Sequence, residues 1–208
     1  MKNIVNYRFG ARILATVIAL LFAASASARS GLGYRGFSGG MMLHSGWVNG
    51  GSMEIGGKMQ DMAGLPMGIG GALKVQLGDH LRVGTEGYTS ALAYGDFNSS
   101  LSVGWGGLLV DWAFVGRSGK TSFFGATVGG GSVKNLTLNT EPADDFVAEE
   151  GVSFRRYAVP LITPFVGMEY PLTERINVVL KADCLIPLSD APDFPLGVRL
   201  YVGFMFGH

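Results

Sequence analysis

Leu196 to Phe206 reads LGVRLYVGFMF. Leu196, Val198, Leu200, Val202, Phe204 and Phe206 form an unbroken apolar face at period two, and Gly197, Arg199, Tyr201, Gly203 and Met205 form the other. Successive side chains of a strand point to opposite sides, so this stretch predicts a strand greasy on one face and mixed on the other. Only Gly207 and His208 follow it.

The composition suits a strand-built membrane protein. Among 208 residues only 15 % are charged, 48 % are hydrophobic and 33 are Gly. A Gly-rich soluble β-sandwich is the alternative this composition allows. Lys2, Arg8 and Arg12 precede the apolar run Ile13 to Ala24, and Ala26-Ser27-Ala28 supplies small residues for cleavage after Ala28. This is the pattern of a secretory signal peptide, so residues 1–28 are expected to be removed and 29–208 to form one domain. The apolar run is shorter than the ~20 residues of a spanning helix, and no later stretch predicts one. Removing residues 1–28 takes away three basic and no acidic residues, leaving 13 basic against 16 acidic and a net charge of −3. A chain without a basic excess is not expected to bind nucleic acid. Cys184 is the single cysteine, so no internal disulfide is expected; it shares an apolar face with Ile176, Val178, Leu180, Ala182 and Ile186.

Eight strands are predicted: Phe37–Val48, Leu65–Leu77, Leu81–Tyr94, Ser100–Phe114, Thr121–Lys134, Phe154–Tyr170, Ile176–Ile186 and Leu196–Phe206. In the first, Phe37, Met41, Leu43 and Trp47 share the outer face. In the third, Arg82, Glu86, Tyr88 and Ser90 share the inner one. In the fourth, Leu101, Val103 and Trp105 are out of phase with Val110, Trp112 and Phe114, so a bulge near Gly106-Gly107 is expected to keep Asp111 inside. The fifth is too rich in small residues for its faces to be assigned. Pro160 and Pro164 lack the N–H of a paired strand, so a distortion or late pairing is expected there. The connections run long, short, medium, short, long, short, long, with Asn49–Gly64 and the acidic Asn135–Gly151 among the long ones. That alternation suits a barrel with both termini on the short-turn, periplasmic side. Aromatic residues Phe37, Trp112, Phe114, Phe123, Phe124, Tyr170, Phe204 and Phe206 sit beside short turns or termini, and Trp47, Tyr94 and Phe97 near the opposite rim. Two interfacial girdles are therefore expected.

From about Gly36 to Phe206 the chain resembles the eight-stranded small outer-membrane barrels of the OmpA/OmpX type. The resemblance implies an all-β, eight-stranded antiparallel up-and-down transmembrane β-barrel in the cell envelope of a Gram-negative bacterium. It also implies outer-membrane lipid and lipopolysaccharide as surroundings, the barrel-assembly machinery as a partner, and a monomer; no peptidoglycan-binding domain is expected after the barrel. The implied role is porin-like in architecture, structural or surface-interacting in function, with no named external ligand.

The inward positions collect Lys74, Arg82, Arg156, Lys181 and Arg199 with Glu86, Asp111, Glu169 and Asp183. An eight-stranded barrel is only wide enough for its own side chains, and an isolated buried ion costs several kcal/mol. A salt-bridged plug is expected, with Arg82 and Glu86 in one network and Gly40, Gly68, Gly70 and Gly84 leaving room; a narrow polar path or ligand site is the alternative. Glu141, Asp144, Asp145, Glu149 and Glu150 could offer oxygen ligands to calcium or magnesium but match no calcium-loop spacing, so a solvated loop is expected. Met53, Met59 and Met62 could suit copper(I) but suit apolar packing over the barrel mouth better. No metal or cofactor is expected. A lipid A-modifying barrel enzyme would need a Ser and a His together; His44 and Ser45 are adjacent and so point apart, and Ser90 and Ser102 have no His predicted beside them. A third reading is a conduit for a small apolar ligand entering beside Pro160 and Pro164.

Overall fold

Period-two alternation carries through every long strand of the computed structural model, which describes residues 33–55, 58–95, 99–138, 152–191 and 193–207. The strands are β1 (Tyr34–Ile55), β2 (Lys58–Gly64), β3 (Met67–Leu77), β4 (Leu81–Tyr94), β5 (Ser99–Val115), β6 (Thr121–Leu138), β7 (Val152–Pro171), β8 (Ile176–Cys184), β9 (Ile186–Pro187) and β10 (Leu196–Gly207). Eight of them close a ring of antiparallel neighbours in the order β1, β3, β4, β5, β6, β7, β8, β10 and back to β1. The closing seam pairs β1 with β10 from Ser38↔Gly207 to Asn49↔Leu196 without a slip. Closure leaves the ring no free edge, so its backbone polar groups are satisfied between strands even in a medium without water. Among the described residues no helix is long and apolar enough to cross a membrane. The expected leader, the acidic residues 141–150 and Phe97 lie outside the described residues; the first four residues of the expected acidic loop, 135–138, continue β6.

The outside is apolar. Leu196, Val198, Leu200, Val202, Phe204 and Phe206 of β10 are each about half exposed or more. So are Phe37, Met41, Leu43 and Trp47 on β1 and Leu65, Met67 and Leu73 around β3. Burying none of this surface would be costly in water at about 25 cal/mol per Å²; against lipid it is the favourable side. Phe37, Trp112, Phe114, Phe124, Phe204 and Phe206 are exposed near the short-turn end, with Tyr170 half-buried beside them, and Trp47 is exposed toward the other. Phe123 and Tyr94 were expected in these girdles but point inward and are 3 % and 5 % exposed. Their positions have lumenal parity, which the aromatic character of the side chain does not override.

Three further expectations change. The segment after Val48 is a β-hairpin rather than a loop: β1 runs on to Ile55 and pairs with β2, with an irregularity between Asn49 and Ser52. This hairpin buries Met62 and Gln60 while Met59 stays exposed. β5 has no bulge at Gly106-Gly107, since both its ladders hold one register from end to end. Leu101, Val103 and Trp105 therefore face inward with Leu109, Asp111 and Ala113. The phase change in the sequence marks where the lumen turns from polar to apolar, not where the backbone slips.

The third concerns the prolines. β6 and β7 pair without a shift from Thr121↔Glu169 to Leu138↔Val152, straight past Pro160 and Pro164. The carbonyl of Pro160 accepts from Leu188 N–H at 2.9 Å, on the β8/β9 side. N–H and C=O of one strand residue point the same way, and Pro164 has the same parity, so both missing N–H groups fall on that side. There the partner strand itself breaks at Leu185, between β8 and β9. The prolines turn their missing N–H groups to the one seam where the neighbouring strand is interrupted.

Candidate functional site

Among the described residues the lumen gathers most of the buried charge. Lys74 on β3, Arg82 on β4, Asp111 on β5 and Glu169 on β7 converge toward the short-turn end. Lys74 Nζ lies 2.9 Å from Asp111 Oδ2 and 3.7 Å from Glu169 Oε1. Arg82 donates Nε to Asp111 Oδ1 at 2.6 Å, Nη2 to Asp111 Oδ2 at 3.0 Å and Nη1 to Glu169 Oε1 at 2.8 Å. This two-pronged grip on Asp111 holds the guanidinium plane in one orientation. Beneath the cluster, a vestibule of about 240 Å³ opens at the short-turn end, lined in part by Arg35, Arg82, Glu169, Glu174 and Arg175.

Phe123 and Phe165 stand above that cluster, edge to face with centroids 6.0 Å apart. Lys74 and Arg82 cap the Phe123 ring at 4.4 and 4.9 Å, and Lys181 caps Phe165 at 4.7 Å. Lys181 belongs to a second cluster: its Nζ lies 2.7 Å from Glu86 Oε2 and 3.5 Å from Asp183 Oδ2. Thr127 donates to the other oxygen of Glu86 at 2.6 Å. Arg82 and Glu86 were expected in one network, but the phenyl rings separate them into two. A four-residue step along a strand is too long for a direct contact when an aromatic layer fills the gap.

Above the second cluster the lumen becomes aromatic. His44, Tyr88, Trp105 and Tyr201 form a lattice with centroid separations from 4.8 Å (His44–Tyr201) to 5.9 Å (His44–Tyr88). Arg199 is 1 % exposed, lies 5.2 Å over the Trp105 ring and donates to the Pro195 carbonyl at 3.3 Å. It stands directly across the β10–β8 ladder from Asp183, yet among the described residues it makes no ion pair within 4.0 Å. Its direct contacts are a ring face and a carbonyl, and Asp183, one of the acids expected, acts on it only at longer range. Arg156 departs further: its side chain is on the outer face of β7 and exposed, because its even position shares the parity of Pro160 and Val166. Among the described residues the lumen thus holds four cations, Lys74, Arg82, Lys181 and Arg199, and four anions, Glu86, Asp111, Glu169 and Asp183, all buried.

The long-loop end is sealed mainly by uncharged groups, with the buried Asp193 beside them. Tyr94 Oη bonds Asn135 Oδ1 and Thr137 Oγ1, each at 2.6 Å. Asn135 donates to the Met62 sulfur at 3.0 Å, and Gln60 to the Leu138 carbonyl at 2.7 Å. Leu92, Leu101, Val133, Leu161 and Leu185 pack around them, none more than 5 % exposed. Among the described residues no group of three or more His, Cys, Asp or Glu is placed to hold a metal ion.

The space at Gly68 and Gly70 is taken by rings, not by charged chains: a Cβ at Gly68 would collide with His44 and one at Gly70 with Tyr88. His44 therefore turns over Gly68, whose cross-strand partner is Ser90, and this approach was not foreseen. No hydrogen bond joins His44 to Ser90, and both are buried, at 3 % and 4 % exposure. Ser45 is on the other face of β1, as expected from adjacency. Sequence reasoning also missed Phe123, Phe165, Thr127 and Trp105. For Trp105 the signal was present, since it shares odd parity with Asp111.

No family model matches the sequence, and no curated protein matches it. Solved structures do. Ail, the attachment invasion locus protein of Yersinia pestis, in complex with the heparin analogue sucrose octasulfate, superposes with a TM-score of 0.52 at 9 % identity, covering 84 % of this chain and 99 % of that one. Neisserial surface protein A superposes with a TM-score of 0.53 at 11 % identity, covering 84 % and 98 %. The chain has the fold of the small eight-stranded outer-membrane β-barrels.

Proposed function

We propose that this protein is an integral outer-membrane barrel with a closed lumen and a structural or surface-interaction role carried by its long-loop end. The observation that supports this reading is the contrast between its two surfaces. Outside, a continuous apolar face ends in aromatic residues; inside, four cations and four anions are packed with rings into a filled interior. Buried pairs of this kind add little net stability, but they let long polar side chains fill a lumen without leaving a lone charge. Residues 1–28 act as the export leader, and the β10 strand is the segment presented to the barrel-assembly machinery. Lipopolysaccharide and phospholipid surround the monomer.

Two measurements test the reading together. The full-length protein should fractionate with the outer membrane and run as a heat-modifiable band on gels, faster unboiled than boiled. Reconstituted in planar bilayers, it should give no steady ion current at 100 mV. A soluble periplasmic band would overturn the membrane assignment, and an open-channel current would overturn the closed lumen.

A further inference from the structure

Lys134 and Arg156 face each other directly across the β6–β7 ladder, and both are exposed on the outer face. Side chains so placed have Cβ atoms about 5 Å apart, and like charges there repel. Among the described residues neither makes an ion pair within 4.0 Å. Asp193 lies near by but is engaged by Arg155 at 3.5 Å, and Asp190 lines the adjoining depression together with Arg156. On the other side of Lys134, at the same rung of the β5–β6 ladder, Ser102 adds a hydroxyl to the outer face.

The height of this pair matters. Lys134 stands ten residues above Phe124 on β6, a climb of about 25 Å at about 3.4 Å per residue and about 40° of tilt. An outer-membrane barrel has an apolar band of about that height, so the two cations lie where it meets the headgroups on the long-loop side. One rung below them the surface caves in. Gly104, Gly130, Ser132 and Ala158 present little side chain, and a shallow groove of about 540 Å³ follows them down the β5–β7 face to the Pro160 ring.

We propose that this face binds one phosphate-bearing lipid of the outer leaflet, with the phosphate bridging Lys134 and Arg156 and an acyl chain in the groove below. The proposal rests on the membrane reading above and adds a defined lipid site to it. A phosphate dianion removes the repulsion between the two cations and accepts from both, with Ser102 as a third donor. The groove then fills with the chain that the same headgroup carries, which a free anion would not supply.

The test uses the folded protein in phosphatidylcholine nanodiscs doped with bisphosphorylated lipid A or with its dephosphorylated form, with bound lipid counted by native mass spectrometry. The wild type should retain the phosphorylated lipid roughly tenfold better than the dephosphorylated one. K134Q/R156Q should lose roughly 30-fold and either single variant roughly fivefold, as expected for charges near an anionic surface. Ser132→Leu, which fills the groove and leaves both charges, should also weaken retention. R117Q/K120Q, at the opposite end of β6, should behave as wild type. Equal retention by K134Q/R156Q and wild type, equal retention of the two lipids, or displacement by millimolar inorganic phosphate would each overturn the site. Heat-modifiable migration of each variant keeps the arms separate: its absence in the wild type would sink the barrel reading, whereas its persistence with unselective lipid binding sinks only the site.

Discussion

Asp111 is the residue on which the lower lumen depends. It accepts from both Lys74 and Arg82 while Glu169 shares the same two cations. Asp111→Asn keeps the shape and removes the charge, leaving two cations against one anion in a buried layer. Breaking a buried pair by removing one partner costs about 3–5 kcal/mol, so the urea midpoint for unfolding from lipid vesicles should fall by a corresponding amount. A variant as stable as wild type would mean that water, not Asp111, solvates these cations. Gly68 is a second such position, for a steric reason. The His44 ring occupies the place of its missing side chain, and small-to-large changes in packed interiors cost about 1–3 kcal/mol.

At the scale of the element, β7 shows how a strand can carry two prolines and remain paired. Its odd residues turn their N–H groups to β6, along an unbroken ladder, and its even residues turn theirs to the interrupted β8/β9 side. Pro160→Val should therefore leave stability within about 0.5 kcal/mol, the usual range for substitutions away from special features. Leu161→Pro, one residue away, removes a ladder bond to β6 and strands a carbonyl there, at about 1–3 kcal/mol. The comparison is read from the two unfolding midpoints, and an equal loss at both positions would refute the directional account. The position of the prolines was legible in the sequence; their direction was not. Parity along β7 relates them to each other, but only the Leu188 to Pro160 bond shows which neighbour they face.

At the scale of the molecule, closure is the decisive event. Twelve residue pairs join β1 to β10, so a chain shortened before Leu196 leaves β1 and β8 as open edges in lipid. Unsatisfied backbone groups cost several kcal/mol each in that medium. Deleting residues 196–208 should abolish the heat-resistant band altogether, and a truncated chain that still migrates as a folded barrel would show that closure is dispensable. The sequence by itself determined the eight strands of the ring, the two faces of β3, β4, β8 and β10, and the alternation of short and long connections. All of these follow from period-two patterning and turn chemistry, which are local. Lys74, Arg82, Glu86, Lys181, Asp183 and Arg199, which the alternation turns inward on β3, β4, β8 and β10, are all buried, because on those strands the apolar face is continuous enough to set the parity. On β5 it is not, and Asp111 faces inward without the expected bulge. Tertiary structure alone decided the rest. Whether an apolar side chain of β5 faces lipid or lumen depends on what fills the opposite wall: Trp105 turns inward because His44, Tyr88 and Arg199 receive it. The division of the charges into two clusters depends on Phe123 and Phe165 meeting from neighbouring strands. The closing strand LGVRLYVGFMF announced a barrel through its outer face; the partners of Arg199 on its inner face required the other strands around it.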